Sequence, residues 1–423
     1  MQSSYKKINY KMSDKYYTNI KNCRICKSNK LQSVLNLGKQ PAANNLHNNK
    51  SKLKNAPLHM KICRVCKTVQ LSSTINPKFL FSNYYWVTGT SKVANNYAQT
   101  FYEFCKRRLK KKIFKVFEVA CNDGTFLRSF KEKKCDVVGI DPAKNIVKNI
   151  KDLKIINNFF NFKVSRNIKK KYKNFDLVFA RNVIPHVPNI LSVIKGISNL
   201  IEEKSGIGAI EFHYGNVIQK ELHYDSIYHE HYFYFTIKTL SHLLEKFNLN
   251  VFDVEKSPIS GGSLVIFFSK SKRKKSKKLL IYEKLEKKEK VNSIDKWLSF
   301  GKKSKKHAST LYNLLKKLKK KDNSKIVAYG ASARSSTLLN FSKINNKIID
   351  HVLDKNKLKS NLYTPGTNIL IKRYISKKTK LKKYKIILIL AWNFKNEIIR
   401  DLKKNGFKGN FLLPLPKITS LKN

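Results

Sequence analysis

"KVFEVACNDGTFLRSFKEKKCDVVGIDPAKNIVKN", running from Lys115 to Asn149, decides the fold. Val116 to Ala120 reads as a short apolar strand carrying one acid, Glu118. Cys121-Asn122-Asp123-Gly124 is a tight turn, and a helix follows from about Thr125. A second strand, Asp136 to Ile140, ends in Asp141 and leads into another turn and helix. Strand, turn, helix, strand is the opening βαβ unit of a Rossmann-like sheet, which places the chain in the α/β class.

In such sheets ligands bind beyond the carboxyl ends of the strands, where amides of the turn and of the helix start are free. This turn lacks the G-x-G-x-x-G phosphate fingerprint. Glu118 and Asp123 also put negative charge beside it, which disfavours a pyrophosphate. A ligand with a cationic centre and a ribose suits these residues, because an acid at the end of the second strand accepts from ribose hydroxyls. S-adenosylmethionine carries both features.

The α/β alternation continues downstream. "FDLVFARNVIPHVPN" is a strand followed by a polar loop with Asn182 and His186, and "GIGAIEFHYG" is a strand with Glu211 and His213 near its exit. Then comes "YDSIYHEHYFYFT", Tyr224 to Thr236, which sets His229 and His231 around Glu230 among tyrosines. Taken alone it fits two readings: an aromatic core strand with satisfied histidines, or a site where a carboxylate tunes an acid–base histidine. A helix and two strands joined at Gly261-Gly262 finish this unit.

Outside it lie three further segments. "CRIC" (Cys23, Cys26) and "CRVC" (Cys63, Cys66) have the paired spacing of a four-thiolate zinc site, with no open position and hence a structural role. Between that module and the sheet, "SNYYWVTGTSKVANNYAQTFYEFC" turns around Gly89 and then shows helical spacing at Val93, Tyr97, Phe101 and Phe104. Tyr84, Tyr85 and Trp86 are candidates for one wall of a pocket. From Lys270 to about Lys325 lysines alternate with Leu298, Leu311, Leu314, Leu315 and Leu318, as in helices with a solvated face. A second α/β unit follows in "KIVAYGASARSSTLLNF", a strand ending in Asp354 and "KIILILAWNFKNEIIRDLKKNGF", with Gly330, Ser332 and Arg334 at its first turn. The expected divisions are 20–78, 79–270, 271–325 and 326–420.

The chain has 423 residues, with 88 Lys and Arg against 27 Asp and Glu, a formal charge of +61. The excess is lysine spread over the whole length, which reads as a solvated surface; a nucleic-acid footprint clusters on one face. A zinc-containing nucleic-acid-binding protein is the rival class, and it does not account for the donor-type turn or the paired histidines. The longest apolar run, Ile386 to Trp392, is too short to span a bilayer, and the amino-terminal stretch has no apolar core. A soluble, cytoplasmic monomer is expected.

The order "EVACNDGTFL", "GIDP", "RNVIPHV", "YDSIYHEHYFYFT", "GGSL", "AYGASARSSTLLNF", "YTPGT" and "LAWNF", after the zinc knuckles, resembles the sugar C-methyltransferase family. The resemblance runs from about Cys23 to Pro416. It implies a class I S-adenosylmethionine-dependent enzyme with an amino-terminal zinc module and a carboxyl-terminal Rossmann-like domain. By that resemblance Glu118, Cys121, Asn122, Asp123, Gly124, Asp141 and Asn182 bind the donor. His231 is the general base with Glu230 orienting it, and Tyr228, His186 and Tyr84 complete the catalytic group. Tyr85, Trp86, His229, Gly330, Ser332 and Arg334 face a nucleotide-sugar substrate, and Cys23, Cys26, Cys63 and Cys66 hold zinc. The implied reaction is proton removal beside the ketone of a keto-deoxysugar and methylation of the resulting enolate; methylation of a sugar oxygen or nitrogen is the alternative. Two positions depart from the family pattern: Ala120 stands where glycine is common, and Arg334 where lysine is common.

Overall fold

The computed structural model describes residues 15–48, 53–81, 87–322 and 325–422. Tyr84, Tyr85 and Trp86 lie outside the described residues.

The amino-terminal module is built from β1 (Tyr17–Asn19), β2 (Leu31–Pro41), β3 (Asn55–Cys63), β4 (Val69–Leu71), β5 (Ser73–Ile75) and α1 (Pro77–Phe81). The central unit begins with α2 (Lys92–Leu109), then β6 (Lys115–Val119), α3 (Thr125–Lys131), β7 (Asp136–Ile140), α4 (Lys144–Val147), β8 (Lys154–Ile156), α5 (Phe162–Tyr172), β9 (Leu177–Arg181), α6 (Ile190–Leu200) and β10 (Ile207–His213). It continues with α7 (Gly215–Lys220), β11 (Phe233–Tyr234), α8 (Ile237–Glu245), β12 (Asn250–Ser257) and β13 (Ser263–Ser269). After α9 (Lys277–Lys288) and α10 (Ile294–Asp322) come β14 (Ile326–Tyr329), α11 (Ala333–Phe341), β15 (His351–Asp354), β16 (Ile371–Arg373), β17 (Ile386–Ile389), α12 (Lys395–Lys404), β18 (Asn410–Leu413) and β19 (Thr419–Leu421).

The central sheet has the order β12-β13-β10-β9-β6-β7-β8. Strands β6 to β10 are mutually parallel, and β13 enters antiparallel between β10 and β12. Its strands are buried apolar runs, as a sheet covered on both faces requires. Strand order reverses between β6 and β9, so the crevice at the switch point opens where Glu118, Asn122 and Asn182 stand. The carboxyl-terminal sheet, β16-β15-β14-β17-β18-β19, repeats the parallel winding on a smaller scale. The helix expected around Val93 forms as α2, burying Tyr97 and Phe101, but Val93 itself stays exposed.

Two features lie beyond the reach of strand and helix patterns. First, the amino-terminal sheet runs β11-β4-β3-β2, so its outer strand, Phe233–Tyr234, comes from the aromatic segment of the central unit. Second, the lysine-rich region forms two helices, α9 and α10, and the second runs unbroken for 29 residues. Trp297, Phe300, Leu311 and Leu315 of α10 share one core with Leu35 and Met60 of the amino-terminal module and with Ile326 and Leu388 of the carboxyl-terminal sheet. At Gly301 the helix backbone passes so close to β2 that a Cβ there would lie 2.1 Å from the Val34 carbonyl oxygen. No lysine is fully buried among the described residues, which agrees with a solvated role for the excess charge.

Ala120 adopts φ +56°. A Cβ in left-handed backbone costs roughly 1–2 kcal/mol, which glycine avoids. Ala120→Gly is therefore expected to stabilise the central unit by about 1 kcal/mol, less the greater chain entropy glycine loses. A urea titration followed by tryptophan fluorescence checks this, with a lowered midpoint as the contrary result.

Candidate active site

The donor side of the crevice is assembled by the turn after β6. Asp141, at the end of β7, accepts from the Asn122 amide at 2.8 Å and the Ala143 amide at 2.8 Å, which ties the two strand ends together. Burial pushes its carboxyl up, and those two amides pull it back. Glu118 is 2% exposed, and its Oε2 has no hydrogen-bond partner among the described residues. Burial raises its pKa well above the usual carboxylate range, against the opposing pull of Arg181. A cationic donor beside the turn would satisfy that orphaned oxygen, so the residues fit S-adenosylmethionine. The Cys121 side chain turns away from the crevice: it is buried, and its Sγ lies against Gly139 of β7. Only the backbone of Cys121 belongs to the turn.

A short 3-10 segment, Thr88–Thr90, closes over this turn. The Thr88 amide donates to Asn122 Oδ1 at 2.9 Å, and the Gly89 amide to Asp123 Oδ2 at 2.9 Å. A Cβ on Gly89 would sit 2.6 Å from that carboxylate oxygen, which explains the glycine. Asn182 is held in left-handed backbone, φ +49°, and donates to Glu211 at 2.8 Å. Glu211, fully buried, also accepts from Arg181 and Ser257, and so fixes the loop after β9. That loop carries His186.

His186 brings the aromatic segment to the crevice. Its ring meets that of His231 edge-on at 4.6 Å, and the Tyr228 ring lies 3.9 Å from that of His231. His231 Nδ1 lies 2.8 Å from the Ser226 carbonyl oxygen. A carbonyl only accepts, so Nδ1 carries the proton and Nε2 holds the lone pair. Burial lowers the pKa of His231 well below the ordinary histidine value, with His186 adding to the effect. Burial alone takes His186 down to about 4. Both rings are thus neutral at neutral pH.

Three expectations need correction. Glu230 does not orient His231; the Ser226 carbonyl does. The Glu230 side chain instead accepts from Asn44 Nδ2 at 2.7 Å, and burial pushes its pKa up to about 7 against that hydrogen bond. His229 does not face the crevice. It is 2% exposed, with Nε2 3.1 Å from the Ala56 carbonyl oxygen of β3, and so docks the segment onto the amino-terminal sheet. Arg334 does not offer its fork to a phosphate. Its Nε and Nη2 each reach an oxygen of Asp225 at 2.9 Å, and Trp392 Nε1 donates to the same carboxylate at 2.9 Å. Ser332 is the N-cap of α11, with its hydroxyl accepting from the Ser335 amide, and Gly330 at φ +100° lets the turn pass against Ala391.

The segment therefore threads all three modules. Its front half is tied to the carboxyl-terminal unit by Asp225–Arg334 and by Thr337 donating to the Ile227 carbonyl at 3.0 Å. Its rear half is tied to the amino-terminal module by His229, by Tyr232 donating to the Ile75 carbonyl at 3.1 Å, and by β11. His231 sits between. Asn44, Ser226 and Asp225 were missed in sequence reading. Asp225 alone gave a signal, being an acid inside an aromatic run of a chain poor in acids.

In the amino-terminal module the Cys23–Cys66 and Cys26–Cys63 sulfurs are 3.6 and 3.5 Å apart, and all four lie within 4.8 Å of one another. A tetrahedral zinc with Zn–S bonds of about 2.3 Å requires sulfur separations near 3.8 Å, so the four thiolates fit the ion. Gln70 Nε2 donates to Cys23 Sγ at 3.1 Å, while the Gln70 backbone pairs with Phe233.

Three family models match consecutive stretches of the chain: "Putative zinc binding domain" over 23–81, "Methyltransferase domain" over 90–254 and "C-methyltransferase C-terminal domain" over 258–416. The chain is matched by these three models in that order, from residue 23 to residue 416. It is an S-adenosylmethionine-dependent methyltransferase with a structural zinc module. A curated relative, C-methyltransferase NovU of Streptomyces niveus, is 27% identical over 409 residues, covering 94% of this methyltransferase and 96% of its own length. Among solved structures, a methyltransferase from Clostridium acetobutylicum is 10% identical and covers 43% of this chain and 93% of its own, with a TM-score of 0.33. The PH0226 protein of Pyrococcus horikoshii is 16% identical and covers 46% and 97%, with a TM-score of 0.36. Likenesses at that level carry no functional argument. No helix among the described residues is long and apolar enough to cross a membrane.

Proposed function

We propose that this methyltransferase methylates the carbon beside the ketone of a nucleotide-linked keto-deoxysugar, with His231 as the base. The observation that carries the reading is the tautomer of His231: Nδ1 is committed to Ser226, and Nε2 has no protein partner among the described residues. The bound donor supplies an electrophilic methyl group next to Glu118, Asn122 and Asp141. The chain's own part is to take a proton at His231 Nε2 and to hold the enolate oxygen that results. Tyr228 and His186, in ring contact with His231, are the groups assigned to that oxygen. Glu230 keeps Oε1 on Asn44, which leaves Oε2 to accept from a hydroxyl of the acceptor. A carbonyl beside the reacting C–H is what makes a neutral imidazole an adequate base, and a positioned base contributes ~10²- to 10⁴-fold.

Two arguments support a nucleotide-linked acceptor: the resemblance to the sugar C-methyltransferases, and a second doubly wound unit joined to the catalytic segment. The relative's printed name supports carbon as the methylated atom. The test is incubation with methyl-labelled donor and a panel of keto-sugar nucleotides, read by mass spectrometry. A mass gain retained through acid hydrolysis on a carbon of the sugar is expected. Label on oxygen or nitrogen, or on none of the panel, contradicts the reading.

A further inference from the structure

Asn44 lies in the loop between β2 and β3, within "QPAANNLH", Gln40 to His47, far from the catalytic segment in sequence. It is an exposed side chain, so no packing demand explains it. Yet its amide donates at 2.7 Å to the carboxylate of Glu230, which is 3% exposed. No other hydrogen bond reaches that carboxylate among the described residues. The loop is also pinned at its far side. His47 and Tyr363 exchange backbone hydrogen bonds, 3.3 Å from the His47 amide and 2.8 Å from the Tyr363 amide. Pro41 lies against Gly366, where an added Cβ would come within 3.1 Å of the proline ring.

We propose that Asn44 is a positioning residue for the methyl-transfer reaction, a zinc-module side chain that fixes one oxygen of Glu230 and leaves the other for the acceptor. The proposal rests on the role given to Glu230 above. The groups around Glu230 are its neighbours His229, His231 and Tyr232, and Arg24, whose guanidinium stands 5.1 Å over the Tyr232 ring. His229 and His231 are held neutral by burial, and none of the four pairs with the carboxylate. The Asn44 N–H is the opposing influence to burial, and without it the protonated form of Glu230 is favoured. The bridge at His47 and Tyr363 makes the placement of this donor depend on the carboxyl-terminal unit as well.

The test reads the carboxyl group directly. The infrared band of protonated Glu230, identified as the one missing in Glu230→Gln, is titrated in the zinc-loaded protein with no acceptor present. Its midpoint is expected near 7. In Asn44→Ala it should rise by about half to one unit. In Asn44→Asp it should rise further, since a second carboxylate at hydrogen-bond distance must share a proton. Given an acceptor, Asn44→Ala should also lose about tenfold in kcat/KM with zinc content and donor affinity unchanged. An unmoved midpoint in Asn44→Ala overturns the proposal. If that variant loses zinc or donor binding, an unmoved midpoint in the isosteric Asn44→Asp overturns it instead. Because the titration needs no acceptor, its failure is distinct from a failure to find one.

Discussion

Replacing His231 by alanine lowers methyl transfer ~10²- to 10⁴-fold and leaves donor affinity within about twofold of the parent. The two effects separate because His231 meets the loop that carries His186, while Asn122 and Asp141 are tied to each other at the strand ends. Removing the ring also removes its packing on Tyr228, so His231→Asn is the better-controlled variant. Its amide can still donate to the Ser226 carbonyl but has no basic nitrogen, and the same loss is expected. The pH profile follows from the direction of the shift. A base acts unprotonated, so the rate falls as pH drops through the pKa of His231, and burial and His186 place that limb below 6.5. Glu230, pushed up to about 7, contributes a separate limb. In Glu230→Gln only the lower limb should remain. Stopped assays of kcat/KM across pH, beside calorimetry of donor binding, check both points. Full activity in His231→Asn would remove the assigned base.

The second large effect comes from the metal module. Cys23→Ser is expected to release the zinc, lower the stability of the module by several kcal/mol and reduce methyl transfer at least about 100-fold. Structural zinc commonly supplies folding free energy outright, and this module has a small apolar core of its own. The reach into catalysis is geometric. Cys23 accepts from Gln70, Gln70 pairs with Phe233 on the edge of the sheet, and Phe233 is two residues beyond His231. His229 and Tyr232 hang on Ala56 and Ile75 of the same module. Loss of the ion therefore frees the rear half of the catalytic segment while the central sheet, with its own core, keeps the donor turn. Metal analysis, donor calorimetry and activity on one preparation test this. A zinc-free variant with parental activity would show the module to be dispensable for the site.

Much of this architecture was legible from local pattern. Residues 115 to 149 announce strand, turn, helix and strand because each is a short element with its own periodicity, and α3 begins at Thr125 as the turn chemistry requires. The four cysteines were legible because metal ligation fixes spacing. Glu118 and Asp141 stood out because each is an acid near the end of an apolar strand. The surface charge concealed nothing there: Glu118, Asp141, Glu211, Asp225 and Glu230 are all buried, in a chain whose lysines stay outside.

What could not be read was pairing between distant segments. That β11 completes the zinc-module sheet depends on a strand of two residues, too short to carry a pattern. Glu230 beside His231 in sequence suggested a dyad. The chain turns there, with the His231 amide donating to the Tyr228 carbonyl at 2.8 Å, and the two side chains find different partners, Asn44 and Ser226. Arg334 was expected to face the nucleotide-sugar because it stands at the first turn of the second α/β unit; its partner Asp225 lies 109 positions earlier. Long-range hydrogen bonds of this kind leave no local signature.

The most direct test of the account is hydrogen exchange on the acceptor. The enzyme is held in deuterium oxide with the keto-sugar nucleotide that supports turnover but without S-adenosylmethionine, and the sugar is read by proton magnetic resonance. The proton signal at the carbon beside the ketone should be lost in the parent enzyme and retained in His231→Asn. Retention of that signal in the parent, under conditions where added donor gives turnover, would contradict removal of a carbon-bound proton by His231.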